Sequence, residues 1–174
     1  MICVLFFQDI PNNKLNQRTV DIDFESNKVS EIKIIPPKIP IERLSLRKNS
    51  ISNIQNGAFE ALTYLSYIDL SYNNLEDLKR EVFRGPKRPG KGTPSPILSL
   101  DLSYNKIESL SRIAFEYLIN LEEINLSGNP LKFMNNNGHG TATAIGSLTS
   151  LINLNLSETG IDAVPRHFFK GEVF

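Results

Sequence analysis

The sequence predicts a repeat solenoid of the α/β type, and three observations carry that prediction. A template with five apolar positions recurs five times in phase between Ile41 and Val164. Unit starts are 24 residues apart from Ile41 to Leu65 and again from Ile97 to Leu121. Four of the five units place an asparagine at the same offset: Asn49, Asn73, Asn105 and Asn129. Self-similarity at a fixed period of this size marks stacked units, each burying its apolar side against the next.

The units follow in order. The first is Ile41-xx-Leu44-x-Leu46-xx-Asn49-x-Ile51-xx-Ile54, followed by Phe59 and Leu62. The second runs Leu65, Ile68, Leu70, Asn73, Leu75, Leu78 and Phe83. The third runs Ile97, Leu100, Leu102, Asn105, Ile107, Leu110 and Phe115. The fourth is Leu121, Ile124, Leu126, Asn129, Leu131 and Met134, with Ile145 in the phenylalanine's place. The fifth is Leu151, Leu154, Leu156, Thr159, Ile161 and Val164, then Phe169. The unit boundaries are therefore 41–64, 65–96, 97–120, 121–150 and 151–174. Two units are long: Leu65 to Ile97 is 32 residues and Leu121 to Leu151 is 30. The excess falls near 84–96 (RGPKRPGKGTPSP) and 134–146 (MNNNGHGTATAIG), both of loop-forming composition.

This pattern resembles the leucine-rich-repeat family, and the resemblance runs from about residue 19 onward. The 24-residue length and the phenylalanine late in each unit resemble the class common in extracellular proteins. The resemblance implies a horseshoe segment with a parallel concave β-sheet and an irregular or short-helical convex side. It implies that the asparagines stack as a ladder whose amides satisfy backbone groups at the turn, and that Phe59, Phe83, Phe115 and Phe169 stack as a second spine. Thr159, with only a hydroxyl, predicts a weaker fifth turn. Residues 19–40 resemble an N-terminal cap or degenerate repeat: Val20-Asp21-Ile22 opens it, with Ile22 where such caps carry cysteine, and Pro37, Ile39 and Pro40 close it. Asn27 sits at ladder phase. The lack of a cysteine-rich C-terminal cap leads us to expect a fragment or an incomplete gene product, since a bare last repeat exposes apolar core.

Composition narrows the function. Nineteen basic and nineteen acidic residues give a net charge of zero, so nothing global draws the chain to nucleic acid or an anionic membrane. The single Cys3 forms no internal disulfide, and with only His139 and His167 a Cys/His zinc site is not expected. In the N-terminal segment 1–18, Ile2 to Phe7 is far too short to span a bilayer. It reads either as a packed or frayed end or as the remnant of a signal. No membrane span is expected elsewhere.

Reading the strand positions in columns gives the candidate site. Tyr67, Tyr72 and Tyr104 are expected to form an aromatic group around Asp69 and Asp101, as anchors for a protein partner or as a ladder that merely covers neighbouring strands. In the twice-repeated DLSYN the aspartate, serine and tyrosine are expected to face outward. Arg43, Arg47 and Lys48 at one end, and Glu122, Glu123 and Glu158 at the other, predict a charge gradient able to orient the partner. Arg84, Lys87, Arg88 and Lys91 are candidate contacts for a heparin-like polyanion. Asn125-Leu126-Ser127 and Asn155-Leu156-Ser157 are glycosylation sequons.

Other chemistries fare less well. Asp69 and Asp101 on adjacent strands would approach the spacing of a retaining glycosidase pair. But the face is open, no histidine or cysteine is in register with it, and no base serves the serines. No catalytic residue is assigned. Too few oxygens converge for calcium; GHGTATAIG lacks the Lys-Ser/Thr of a phosphate loop; no metal or cofactor is expected. The expected function is non-catalytic protein–protein recognition on the concave face, as part of the extracellular or cell-surface domain of a receptor, adhesion or matrix protein. A cytoplasmic adaptor or regulatory subunit is the alternative that the missing disulfides favour, and polyanion binding through 84–91 is another.

Overall fold

The structure is a computed structural model describing residues 19–36, 40–86, 94–111, 113–132 and 141–164. Six short strands form one parallel sheet in chain order: β1 (Val20–Asp23), β3 (Ile41–Ser45), β5 (Tyr67–Asp69), β6 (Ser99–Asp101), β7 (Glu123–Asn125) and β8 (Asn153–Asn155). A second, two-stranded parallel sheet pairs β2 (Glu31–Ile32) with β4 (Asn53–Ile54). The register follows the repeat: Ile22, Leu44, Ile68, Leu100, Ile124 and Leu154 lie side by side. The excess residues after Phe83 leave β5 and β6 paired, Tyr67 beside Ser99 and Asp69 beside Asp101.

In the first three units the template positions are buried where the period places them, whereas in the fifth Leu151, Leu154, Leu156 and Ile161 are only partly buried and Val164 is exposed. Leu44, Leu46, Ile68, Leu70, Leu100 and Leu102 are at most 1 % exposed. Phe59, Phe83 and Phe115 line the opposite side of the core, with Ile145 buried in their place in the fourth unit. The Phe59 and Phe83 rings are parallel, 6.0 Å apart; Phe169 lies outside the described residues. Within the second insertion, Thr141–Gly146 forms a helix (α1) rather than loop. Burial of Ala144 and Ile145 against the core, together with Thr141, overrides its glycine-bearing composition.

The asparagine ladder is explicit. Asn73 Nδ2 donates to the carbonyls of Leu70 and Ser71 in its own turn and of Leu46 in the unit before, while its Oδ1 accepts from Ile51 N. Asn49, Asn105 and Asn129 repeat this set. Each of these four turns thus gains a donor and an acceptor that its own backbone cannot supply. Asn27 makes only the local half, to Phe24 O and Glu25 O. Thr159 makes a single bond, to Leu156 O, and Leu131 N turns to Asn129 O instead of reaching the next unit.

Candidate recognition surface

Two rows of side chains cross the sheet. The first is Asp21, Arg43, Tyr67, Ser99, Glu123 and Asn153; the second is Asp23, Ser45, Asp69, Asp101, Asn125 and Asn155. In the second row the oxygen of Asp23, Asp69, Asp101, Asn125 and Asn155 accepts from the backbone N–H two residues on. Ser71, Ser127 and Ser157 hydroxyls add a bond to the same oxygen. This is a second ladder, of side-chain turns. It corrects the outward reading of DLSYN: Ser71 and Ser103 are buried and Asp69 is only 8 % exposed. Strands β5 and β6 are three residues long and end at Asp69 and Asp101, so in–out alternation ends before the serine. The two aspartates are occupied as turn formers, which leaves little of the glycosidase geometry. Asn125 and Asn155 are held in the same turns, and Asn125 Nδ2 donates to Asp101 Oδ2.

Beyond the serine the chain enters the left-handed region in every unit: φ is 60° at Ser26, 51° at Lys48, 55° at Tyr72, 52° at Tyr104, 66° at Gly128 and 56° at Glu158. That bend aims these side chains along the rim of the sheet. Tyr72 and Tyr104 stack with centroids 4.4 Å apart and planes 19° from parallel. Tyr104 Oη donates to Glu158 Oε2 at 3.1 Å, and this acceptor holds the phenol pKa above its ordinary value. Gly128 is the residue beneath: a Cβ there would lie 2.6 Å from the Tyr104 ring. Since non-glycine residues take the same φ in five other units, Gly128 serves to seat that ring. Sequence reading missed this, though a glycine where neighbours carry tyrosine was the available signal.

Among the three tyrosines, Tyr72 and Tyr104 make the ring stack, and Tyr67 has a different cover. Tyr67 stands in the first row with the Arg43 guanidinium 3.9 Å over its ring, whereas Arg47 covers Tyr72 at 4.3 Å. Burial, then the charges of Asp69 and Asp101, push the Tyr67 phenol up. The charge gradient also changes. Glu25 pairs with Lys48 at 2.8 Å and with Arg47 at 3.6 Å, and Asp21 and Asp23 lie on the outer strand β1, so the basic cluster sits between acidic groups. Glu123 is exposed and accepts from Ser99 Oγ and Asn153 Nδ2. A shallow depression of about 380 Å³ runs from Tyr67 past Asp101 and Glu123 to Asn155.

Arg84 lies elsewhere. Its guanidinium is held between Glu60, at 2.5 Å, and Glu81, at 2.9 Å, with Gly57 leaving room for the pair. A guanidinium so neutralised offers little to a polyanion, which removes Arg84 from that expectation; Lys87, Arg88 and Lys91 lie outside the described residues. Among the described residues no group of histidine, cysteine, aspartate or glutamate could hold a metal, and no helix is long and apolar enough to cross a membrane.

Models of the leucine-rich repeat match residues 40–88 and 93–131, just over half of the chain, and residues 120–147. The chain belongs to the leucine-rich-repeat family. No curated protein sequence matches it. Among solved structures, one from the crystal structure of a TLR13–ssRNA13 complex superposes on this leucine-rich-repeat chain with a TM-score of 0.63 at 26 % identity, over 77 % of this chain and 17 % of that one. One from the octameric complex of Latrophilin 3, Unc5D and FLRT2 (LRR) gives 0.54 at 26 %, over 78 % and 42 %. Human 5T4, trophoblast glycoprotein, gives 0.54 at 21 %, over 79 % and 50 %, which speaks to fold alone. The chain spans from about a sixth to half the length of these structures.

Proposed function

We propose that this chain is a non-catalytic protein-recognition module that binds a protein partner on its concave face, within the cell-surface or extracellular part of a receptor, adhesion or matrix protein. The observation that carries the reading is the rigid aromatic surface. Tyr72 and Tyr104 are stacked on each other and seated over Gly128, and Tyr67 is fixed under Arg43. Large rings already held in place offer contact area with little entropy left to lose. The repeat length and late phenylalanines, and the likeness to a chain of the Latrophilin 3–Unc5D–FLRT2 complex, support the extracellular setting. Catalysis by the serine or aspartate columns is disfavoured because turns consume them.

The test borrows residues from the other units. Tyr67→Ser, Tyr72→Gly and Tyr104→Gly copy Ser99 and Gly128, so they remove the rings while suiting the backbone. A panel of cell-surface ectodomains is screened for binding, and each hit is measured by surface plasmon resonance against the native chain and this variant. We expect a hundredfold loss or more, since central aromatic anchors each contribute about 2 kcal/mol or more. Undiminished binding by a variant with native circular dichroism sinks the reading.

A further inference from the structure

The two rows that cross the sheet carry five carboxylates (Asp21, Asp23, Asp69, Asp101 and Glu123) against one guanidinium, Arg43. The whole chain is neutral, so this face concentrates negative charge. Arg43 is already placed over Tyr67. From Tyr67 toward β8 the rows contain no cation at all: Ser99, Glu123 and Asn153 in one, Asp101, Asn125 and Asn155 in the other. These are the residues that line the depression.

We propose that this half of the concave face, between β5 and β8, receives basic side chains, arginine above all, from the partner protein. The inference rests on the recognition surface proposed above and names the chemistry of what binds there. The molecule's own arginines show the mode. Arg43 and Arg47 each hold a guanidinium over a tyrosine ring, Arg43 with Asp21 as its strand neighbour and Arg47 beside Glu25. An arginine entering past Tyr67 meets the same kind of environment without a resident cation. Glu123 is pre-oriented by Ser99 and Asn153, and Asp101 is anchored through its turn oxygen with Oδ2 toward Asn125. A guanidinium presents five N–H donors in a plane. The lining answers with two carboxylates and the amide oxygen of Asn153, the amide oxygens of Asn125 and Asn155 being held in their own turns, whereas an anionic ligand, nucleic acid included, meets repulsion along both rows. A flat, open setting keeps each contact modest, so affinity is expected to come from several basic residues spaced along the rows.

The probe is an acetylated Gly-Arg-Gly-Arg amide, titrated into the isotopically labelled full chain and followed by amide chemical shifts at low ionic strength. Its Gly-Glu-Gly-Glu counterpart and a single-stranded RNA hexamer are run beside it. Saturable shifts are expected at Ser99, Asp101, Glu123, Asn125 and Asn153 with the basic peptide alone. Asp101→Asn with Glu123→Gln should weaken binding by about tenfold, as two screened charge contacts imply. Asparagine at this column keeps the turn, as Asn125 and Asn155 do natively. Shifts scattered over the surface, no saturation at millimolar peptide, equal binding by the acidic peptide or RNA, or an indifferent double variant each overturn the proposal. For a protein hit, loss of affinity with both the aromatic variant and the double variant supports it. A hit sensitive to the aromatic variant alone preserves the recognition surface and overturns the cationic inference; a hit indifferent to both overturns the two together.

Discussion

Units two and three carry the same five residues, DLSYN, from Asp69 to Asn73 and from Asp101 to Asn105; units four and five read NLSGN and NLSET. All four build the same strand and turn, with an aspartate or asparagine capturing the N–H two residues on. They part at the last two letters. Where tyrosine precedes asparagine, the rim is aromatic and the turn is tied fully to its neighbour. Where glycine precedes it, the turn survives but supports a ring from the unit before. Where threonine ends it, Leu156 is only partly buried, Thr159 makes one bond, and Leu131 N falls back on its own turn. The fourth and fifth letters therefore do separate work: the fifth joins units, and the fourth decides what the rim shows.

The largest effect follows from the fifth letter. Asn105→Ala leaves Leu75 N without its acceptor and removes the donor to Leu70 O, Leu102 O and Ser103 O, all within a buried turn. Unmet buried groups cost about 1–3 kcal/mol each, so we expect a loss of roughly 3 kcal/mol in urea unfolding, out of about 5–15 for a domain. Asn27→Ala, in an exposed turn with only local bonds, should lose less than half of that; equal losses would break the claim that the ladder joins units. The fourth letter is next. Gly128→Ala places a methyl group where the Tyr104 ring lies and adds a side chain at φ 66°. About 1–2 kcal/mol should be lost, with the near-ultraviolet tyrosine dichroism diminished. Gly160→Ala, at φ 73° with open space around it, isolates the backbone part. Third, Thr159→Asn should restore the missing rung by giving Leu131 N an acceptor. A gain of about 1 kcal/mol, or roughly 2–4 °C in Tm, is expected; no gain would mean that burial, not the rung, limits unit five.

Most of the fold was legible because each apolar letter has one burial-compatible place in a 24-residue period, and the ladder asparagines and Ile145 followed from the same phase. The surface was legible only as far as the strands run. Period-2 alternation was carried through Ser71 and Ser103, past strands that end at Asp69 and Asp101, and there it failed. The columns set Tyr67 apart from Tyr72 and Tyr104, but the left-handed bend that accompanies the stacking of the last two is not visible in a column count. Other misses were in principle readable. Glu60 and Arg84, like Glu108 and Lys132, are 24 residues apart, and each forms an ion pair. Opposite charges one period apart in a solenoid are neighbours, as i and i+4 are in a helix.

The smallest effect is spectroscopic, and it separates the two tyrosine environments. Tyr104 owes its raised pKa first to the hydrogen bond with Glu158, whereas Tyr67 owes its own first to burial and then to Asp69 and Asp101. A phenol whose folded pKa exceeds its unfolded value of about 10 stabilises the fold below that value. The contribution is lost as pH rises through the folded pKa. Alkaline titration at 295 nm should therefore show both rings ionising late. Glu158→Ala should bring Tyr104 down and leave Tyr67 in place, and Asp101→Asn should do the reverse. If either change moves both rings alike, the rim and the first row share one field, and the division between an aromatic rim and a cation-receiving floor does not hold. If they move separately, the rim and the floor can be altered independently, which is what a face binding rings to one part of a partner and arginines to another requires.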